Sequence, residues 1–320
     1  MVEPMRILIV GAGSLGSVVG GFMAQAGHRV TLLGRPAHMD AIRTRGVRIE
    51  GIWGEHAVTN LTPLTSLDTC SRGDFDLILI TVKTYDTVSA VDTVKHLVDE
   101  QTLVCSYQNG LGNAEAIAER VGWERTISAR PIYGVRVLEP GRVVVTVIAS
   151  PTAVGAYDAH TDRERVRAIA ESMNAAGLPT VFTDEITTVL WAKVAYNCAL
   201  NPMSALLDVT YGGLLDTEHT RSMMREIVHE LYAVAEAMKI DLKPPDPKAY
   251  VEYLFNELIP PTAAHFASMH EDFEKRRRTE IDALNGAIVR FGEQHGIPCP
   301  TNAALTRLVH AREHALGIAN

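Results

Sequence analysis

The chain has 320 residues, of which 47% are hydrophobic and 21% are charged. This composition is typical of a globular protein that is large enough for about two domains. The formal net charge of −8 at pH 7 argues against a polyanionic partner, so we expect no nucleic acid to bind.

Cysteine and histidine usage indicates neither disulfides nor a metal site. The four cysteines form no C-x-x-C pair, and the histidines show no H-E-x-x-H motif. Reduced thiols are typical of a cytoplasmic protein, which is the location we expect. The N-terminus lacks a signal-like region, and no apolar run reaches the roughly 18 residues of a membrane span, so we expect no membrane association.

The most informative stretch is a short apolar run that ends in three glycines. Residues 7–10 read Ile-Leu-Ile-Val, and the following glycines have the spacing G-x-G-x-x-G before a long apolar segment. This order predicts a buried strand, a tight turn and a helix whose N-terminus faces a pyrophosphate. The predicted dinucleotide-binding residues are Gly11, Ala12, Gly13, Ser14, Leu15 and Gly16.

The end of the second predicted strand, residues 29–33, discriminates between the two nicotinamide cofactors. An NAD site usually carries Asp or Glu about 20 residues past the glycines. Here Gly34 and Arg35 follow the strand, and the first acid is Asp40. An arginine suits a 2′-phosphate because it can bind it in bidentate fashion. The pattern favours NADP over NAD; the alternative is that Arg35 is a solvated surface residue.

Two more candidates follow predicted strands. Lys83 comes directly after the apolar run 75–82, and Asn109 follows the run 102–107. Ligands of open parallel sheets bind at the carboxyl ends of the strands, so we expect Lys83 to contact the cofactor. Asn109 precedes a glycine and is either a turn former or a site residue.

The rest of the pattern gives the fold class and the domain boundary. Residues 127–155 form β runs without intervening helices, which predicts an antiparallel extension of the sheet. Beyond Asp184 helical periodicity dominates. The predicted class is α/β, an N-terminal Rossmann-type parallel sheet with an antiparallel extension, followed by an all-α domain. Residues 1–183 are the dinucleotide-binding domain and residues 184–320 the helical substrate-binding domain.

The first helix of the second domain, predicted over 186–207, carries polar residues in its apolar stripe. Lys193, Asn197 and Asn201 are four residues apart and therefore share one face. Buried polar groups need partners, so these side chains indicate a cleft that binds a polar ligand. The alternative is a hydrogen-bond ladder between helices. Pro202 cannot donate to the carbonyl of Cys198, so we expect the helix to kink beside Asn201.

A second anomaly lies in a predicted helix that runs from Ser268 to Phe291. Glu280 falls in the middle of the apolar face of that helix, where a carboxylate is either paired or functional. Ser268 and Glu271 match a capping box, so Ser268 is expected to cap the helix, to bind a carboxylate, or both.

Five segments resemble, in order, the signatures of the ketopantoate reductase (2-dehydropantoate 2-reductase) family. They are G-A-G-S-L-G at 11–16, T-V-K-T-Y-D at 81–86, Q-N-G at 108–110, W-A-K-V-A-Y-N-C-A-L-N-P at 191–202, and S-M with T-E-I-D-A-L-N-G within 268–286. The resemblance covers nearly the whole chain. Its last two segments are specific, whereas the glycine loop is not.

The resemblance implies NADPH-dependent reduction of 2-dehydropantoate to pantoate, a step of pantothenate and coenzyme A biosynthesis. It also implies a role for seven residues of this chain. The matching positions are the catalytic Lys193, as proton donor, and Glu280; the substrate-binding Asn197, Asn201 and Ser268; and the cofactor-contacting Lys83 and Asn109.

One position departs from the family pattern. Some members carry an asparagine ten residues after Asn201, where this chain has Tyr211. This leaves open a reductase of the same family that acts on another 2-oxo acid. A 6-phosphogluconate or 3-hydroxy-acid type dehydrogenase and a non-catalytic NADP sensor are further alternatives, but neither requires an inward lysine and glutamate. The C-terminal helices can pack within one chain or across a two-fold axis, so a homodimer also stays open.

Overall fold

The structure is a computed structural model that describes residues 3–318. Within this range the chain divides into two compact units. The first unit contains residues 3–108 and 113–186, and the second contains residues 109–112 and 187–318. The boundary predicted at residue 183 stays a proposal, and it lies three residues before this division.

The first unit holds the strands. Their bounds are β1 Arg6–Val10, β2 Arg29–Leu33, β3 Val47–Gly51, β4 His56–Val58, β5 Leu61–Leu64, β6 Leu77–Ile80, β7 Leu103–Ser106, β8 Thr126–Glu139, β9 Arg142–Ala156 and β10 Thr180–Phe182.

Helices occur in both units. Their bounds are α1 Ser14–Gln25, α2 Pro36–Arg45, α3 Thr87–Val94, α4 Asn113–Val121, α5 Arg163–Ala175, α6 Ile186–Leu207, α7 Glu218–Ala237, α8 Pro247–Tyr253, α9 Ser268–Glu274, α10 Asn285–His295 and α11 Pro300–Ala315. Short 3-10 turns cover Thr84–Asp86, Lys95–Leu97, Trp123–Arg125, Gly212–Leu215, Pro260–Thr262 and Ile281–Ala283, and a π turn covers Leu254–Leu258. None of the helices within residues 3–318 has the length and apolar character of a membrane span.

The strands form one sheet in the order β4-β3-β9-β8-β7-β6-β1-β2-β5, with β10 paired to β9. The run β5-β2-β1-β6-β7-β8 is parallel throughout and has the strand order of a Rossmann fold. β8 and β9 form a long antiparallel hairpin, which is the predicted extension. The predicted fold class is confirmed.

Both faces of the parallel sheet are buried. In β1, Ile7 and Ile9 belong to one core, whereas Leu8 and Val10 belong to the core on the opposite face. Helices therefore cover the sheet on both sides, and a continuous apolar run is the sequence pattern that such a strand requires. This burial fixes the end of β1, and with it the position of the glycine turn.

The second unit departs from the prediction at one point. The helix predicted from Ser268 to Phe291 is broken, because α9 ends at Glu274, a turn covers Ile281–Ala283, and α10 begins at Asn285. Arg276 has a φ of +49°, which no α-helix allows. The apolar residues that suggested one helix belong to three separate segments.

Candidate active site

The glycine turn has the geometry that a dinucleotide site needs. Gly11 has a φ of +93°, and a Cβ there would lie 2.5 Å from Val82 Cγ1. A Cβ on Gly16 would lie 2.6 Å from Thr81 Oγ1 and 2.8 Å from Ile9 Cγ2. Gly16 therefore lets α1 pack closely against the sheet, which is the role of the third glycine in this motif.

Gly13 differs from its two neighbours because it faces open space. A Cβ on Gly13 would meet only the carbonyl oxygen of Gly11, at 3.8 Å. Gly13 is the N-cap of α1, no side chain caps this helix, and its first turn contains no acidic residue. The N–H groups of the turn and the positive end of the helix dipole thus suit a pyrophosphate.

Arg35 and Lys83 follow the carboxyl ends of β2 and β6, the two strands that flank β1 in the sheet. Arg35 is exposed as the N-cap of α2, directly after β2. No described residue provides a hydrogen bond or an ion pair to its guanidinium. Lys83 is partly buried and precedes the turn Thr84–Asp86, three residues after β6 ends.

The polar face predicted on α6 is present. α6 covers the predicted span, and Asn197 and Asn201 are 8% and 4% exposed. Within residues 3–318 the side chain of Asn197 has no hydrogen-bond partner, so a ladder between helices does not account for it. A buried amide that reaches no partner in the protein is a signal for a ligand.

Pro202 lies inside α6, and the structure compensates for the donor that proline lacks. The carbonyl of Cys198, which a residue at position 202 would normally engage, accepts from the side-chain Nδ2 of Asn285 at 3.2 Å. Asn285 is completely buried and also donates to Asn302 Oδ1 at 2.9 Å. The helix therefore runs on past the proline.

A pocket in the second unit brings together most of the residues predicted for catalysis and substrate binding. The lining residues are Asn109, Asn197, Asn201, Ser268, Met269, Asp272, Glu280 and Leu284.

Lys193 reaches this lining through Asn109. Its Nζ donates to Asn109 Oδ1 at 2.6 Å, and the lysine is only partly exposed. Asn109 is held by the loop that follows it, because Leu111 N donates to the carbonyl of Ala283 at 2.8 Å. A Cβ on Gly110 would lie 2.6 Å from that same oxygen. The Asn-Gly pair thus makes a tight turn and also supplies a side chain to the pocket.

Two predicted local structures around this pocket are wrong. Ser268 does not cap α9, since the N-cap is Ala267, no side chain caps the helix, and Ser268 is its exposed first residue. Glu280 is not on a helix face; it directly precedes the turn Ile281–Ala283. Both side chains nevertheless line the pocket.

Asp272 and Tyr211 also belong to the pocket region, although neither was predicted as a site residue. Asp272 lines the pocket, is 2% exposed, and forms an ion pair with Arg277 at 3.0 Å. Its position four residues after Ser268, on the same helix face, is the signal that would have found it. Tyr211 is buried, and its hydroxyl donates to Asn201 Oδ1 at 2.8 Å. Burial raises the pKa of Tyr211, and nearby Tyr196 adds to this, so its hydroxyl keeps its proton.

The fold and these sites define a two-unit protein with a dinucleotide-binding sheet and a polar pocket in a helical unit. Two family models match the chain, described as ketopantoate reductase PanE/ApbA over residues 7–159 and its C-terminal part over residues 185–313. The chain belongs to the ketopantoate reductase family.

Individual relatives agree with this family. The chain is 37% identical over 311 residues to a 2-dehydropantoate 2-reductase of Aquifex aeolicus, covering 97% of each chain. A PanE/ApbA family ketopantoate reductase from Ralstonia eutropha is 32% identical, with a TM-score of 0.86 over 98% of this chain and 100% of that one. A D-mandelate dehydrogenase solved with NADH and anilino(oxo)acetate also has a TM-score of 0.86, at 28% identity and the same coverage.

Proposed function

We propose that this protein is a 2-dehydropantoate 2-reductase, an oxidoreductase that uses NADPH to reduce 2-dehydropantoate (ketopantoate) to pantoate. The observation that carries the proposal is the bond from Lys193 to Asn109 beside a pocket that also holds two buried asparagines and a glutamate. This is the set of residues that the family resemblance assigns to catalysis and substrate binding. The product is the acid needed for pantothenate and coenzyme A biosynthesis.

The reaction places its main electrostatic demand on Lys193. The cofactor, when bound, supplies a hydride to the 2-oxo carbon. Negative charge then develops on the carbonyl oxygen, and a cationic amine that donates a proton there stabilises it. Glu280 lines the same pocket and provides a charge opposite to that of Lys193.

The remaining side chains of the pocket bind the substrate. We assign the substrate carboxylate to the hydroxyl of Ser268, for which no other residue within 3–318 competes. α9 has only seven residues, so the hydroxyl is a better basis for this assignment than the helix dipole. Asn197 and Asn201 hold the hydroxyl at the outer end of the substrate.

The cofactor is a reduced nicotinamide dinucleotide, and we infer that it is NADPH. The glycine turn fits a pyrophosphate, and Lys83 contacts the cofactor at the end of β6. Arg35, without a carboxylate partner within residues 3–318, reads the 2′-phosphate. The likeness to a dehydrogenase solved with NADH supports only the class of cofactor.

Two glycine variants separate folding from cofactor binding. Gly16→Ala should lower the free energy of unfolding by about 1–3 kcal/mol, because its Cβ overlaps Thr81 and Ile9. Gly13→Ala meets no such atoms, so its thermal unfolding temperature should stay close to that of the wild type while its Kd for NADPH rises. Thermal melts and fluorescence titration measure the two effects. A Gly13→Ala protein that binds NADPH normally would contradict a pyrophosphate on this turn.

Tyr211 departs from the family pattern and bears on the choice between 2-dehydropantoate and a second candidate function, reduction of another 2-oxo acid. The Tyr211 hydroxyl donates to Asn201 Oδ1. The Nδ2 of the same amide, which carries two N–H donors, therefore remains for the substrate. No described residue accepts from that Nδ2. The pocket therefore demands a hydrogen-bond acceptor at the outer end of the substrate, and the hydroxyl oxygen of 2-dehydropantoate meets this demand.

A substrate pair tests this assignment at Tyr211. Tyr211→Phe frees the amide to rotate, so KM for 2-dehydropantoate should rise about 5- to 10-fold, the value of one hydrogen bond. KM for 3,3-dimethyl-2-oxobutanoate, which lacks the outer hydroxyl, should change by less than about 2-fold. Steady-state kinetics with both acids measure the ratio. Equal changes for the two acids would place the substrate hydroxyl elsewhere.

The proposed function itself is tested by a panel of 2-oxo acids. Purified protein with NADPH should turn over 2-dehydropantoate with the highest kcat/KM, followed at the absorbance band of the reduced nicotinamide. A higher kcat/KM for an aryl 2-oxo acid would favour the second candidate. NADPH binding without turnover of any acid would indicate a sensor.

A further inference from the structure

The last helix, α11, carries a carboxylate that is completely buried. Glu313 is 0% exposed. Its Oε1 accepts from the backbone N–H of Thr279 at 2.7 Å, and its Oε2 lies 2.9 Å from His310 Nδ1. Removing an ionised carboxylate from water is costly unless it is paired and hydrogen-bonded. Both of its oxygens are engaged here, so the site is built around the charge.

His310 connects this carboxylate to a second one. Its Nε2 lies 2.9 Å from Asp282 Oδ1, and Asp282 Oδ2 accepts from Arg278 at 3.1 Å. A neutral imidazole has a single N–H, so it can donate to only one carboxylate at a time. When both carboxylates are ionised, both bonds are satisfied only by a protonated His310. The cluster then holds two anions and two cations: Glu313, Asp282, His310 and Arg278.

The titration of His310 follows from these neighbours. Burial alone would lower the pKa of His310, but its hydrogen bonds to Glu313 and Asp282 outweigh it, and the pKa is raised overall. The charged groups that face His310 are Glu313 on its own helix and Asp282 on the turn, with Arg278 behind Asp282.

Two residues that are held by α11, Thr279 and Asp282, flank Glu280 on both sides. Thr279 precedes it and is held by Glu313; Asp282 follows it and is held by His310. α9 ends at Glu274, and the N–H groups of residues 275–277 still donate back to carbonyls of α9. The N–H of Thr279 donates instead to Glu313, so α11 holds the chain directly before Glu280. Glu280 itself lines the pocket. Its position therefore depends in part on contacts that come from α11.

We propose that Glu313, His310 and Asp282 form a clamp that positions Glu280 at the pocket. Glu313 and His310 are positioning residues, since neither lines the pocket. The catalytic consequence rests on the reductase function proposed above. A displacement of about 1 Å at a reacting site can lower the rate about 100-fold, so a loosened clamp should reduce kcat.

The clamp makes the geometry at Glu280 dependent on pH. The folded state raises the pKa of His310, so its contribution to stability is complete below the ordinary pKa of about 6.5 and is lost as the pH rises through the raised value. Deprotonation leaves one of the two oxygens that face His310, Glu313 Oε2 or Asp282 Oδ1, without a donor. We expect the amides of residues 279–284 to become less protected over that pH range.

Glu313→Gln tests the clamp, because it keeps the shape of the side chain and removes the charge. We expect kcat to fall about 10- to 100-fold with an unchanged Kd for NADPH. The alkaline limb of the kcat profile should move to lower pH, because His310 loses one of its two anions. Hydrogen exchange of residues 279–284, corrected for intrinsic rates, should accelerate at neutral pH.

Glu230→Gln is the matched control. Glu230 is a partly buried glutamate that also supports α11, where it accepts from the backbone N–H groups of Thr301 and Asn302. Its loss should lower the melting temperature and leave the pH limb and the exchange of residues 279–284 unchanged. If Glu313→Gln fails to fold, Asp282→Asn is the second variant. It removes the other anion of His310 at a more exposed position, 48% for the side chain.

These experiments distinguish a failure of the clamp from a failure of the proposed function. The clamp would be contradicted if Glu313→Gln or Asp282→Asn had the hydrogen-exchange rates of the wild type at residues 279–284 and the same alkaline limb of the kcat profile. Faster exchange at 279–284 with full kcat would overturn its effect on the reaction. A wild-type protein that reduces no 2-oxo acid would overturn the function, and hydrogen exchange would still decide whether the clamp holds the segment.

Discussion

Lys193→Ala should lower kcat for 2-dehydropantoate by about 10²–10⁴-fold, the usual loss when one acid–base group is removed. The alkoxide that forms at the 2-oxo carbon then lacks both a proton donor and a nearby cation. The glycine turn is untouched, so the Kd for NADPH should stay within about 2-fold. Steady-state and single-turnover kinetics give kcat, and fluorescence titration gives the Kd.

The control for this variant is Lys248→Ala. Lys248 is exposed near the start of α8 and lines no part of the pocket. It should retain wild-type kcat and KM. Near-full kcat in Lys193→Ala would assign the proton transfer to another group, and a matching loss in Lys248→Ala would indicate a general effect of charge.

Arg35→Asp should reverse the cofactor preference. A hydrogen bond to a charged group contributes about 1.5–3 kcal/mol, so its loss should raise the Kd for NADPH about 10- to 150-fold. The introduced carboxylate also repels the 2′-phosphate and accepts from the ribose 2′-hydroxyl of NADH, as the acid of NAD-binding folds does. The Kd for NADH should therefore stay the same or fall. Titrating both cofactors into one preparation measures the ratio directly.

Arg43→Asp makes the same change of charge on the same helix. Arg43 lies in the last turn of α2, where it pairs with Asp40 and donates to the carbonyl of Pro63. Arg43→Asp should raise the Kd for NADPH by less than about 3-fold, because salt screens exposed charges that do not contact the phosphate. Equal losses for the two cofactors in Arg35→Asp would show that Arg35 does not recognise the phosphate.

The fold was predictable because its strands have strong local signals. β1 and β6 are buried on both faces and read as unbroken apolar runs, and G-x-G-x-x-G fixes the turn that follows β1. β3 illustrates the limit. β3 forms a local hairpin with β4, but it also pairs with β9, almost a hundred residues away. Local pattern contains no information about such a partner.

The site was predictable where its residues lie on one helix. The fourfold spacing of Lys193, Asn197 and Asn201 gives a common face from helix geometry alone. Glu280 was predicted as a site residue from a helix that does not exist. The apolar residues around it have a helical period, but they belong to three separate segments. The bonds of Tyr211 to Asn201 and of Glu313 to Thr279 join distant parts of the chain, and residue spacing does not reveal them.

The amide that replaces the donor missing at Pro202 has a further consequence. Asn285 belongs to α10 and directly follows Leu284, which lines the pocket, while the carbonyl that it satisfies lies between the two asparagines of α6. Proline at 202 and asparagine at 285 therefore depend on each other. Losing the asparagine leaves a buried carbonyl without a donor, and restoring an N–H at 202 removes that penalty. Substitutions at the two positions are therefore expected to be correlated during evolution, which couples the lysine helix to the segment after Glu280.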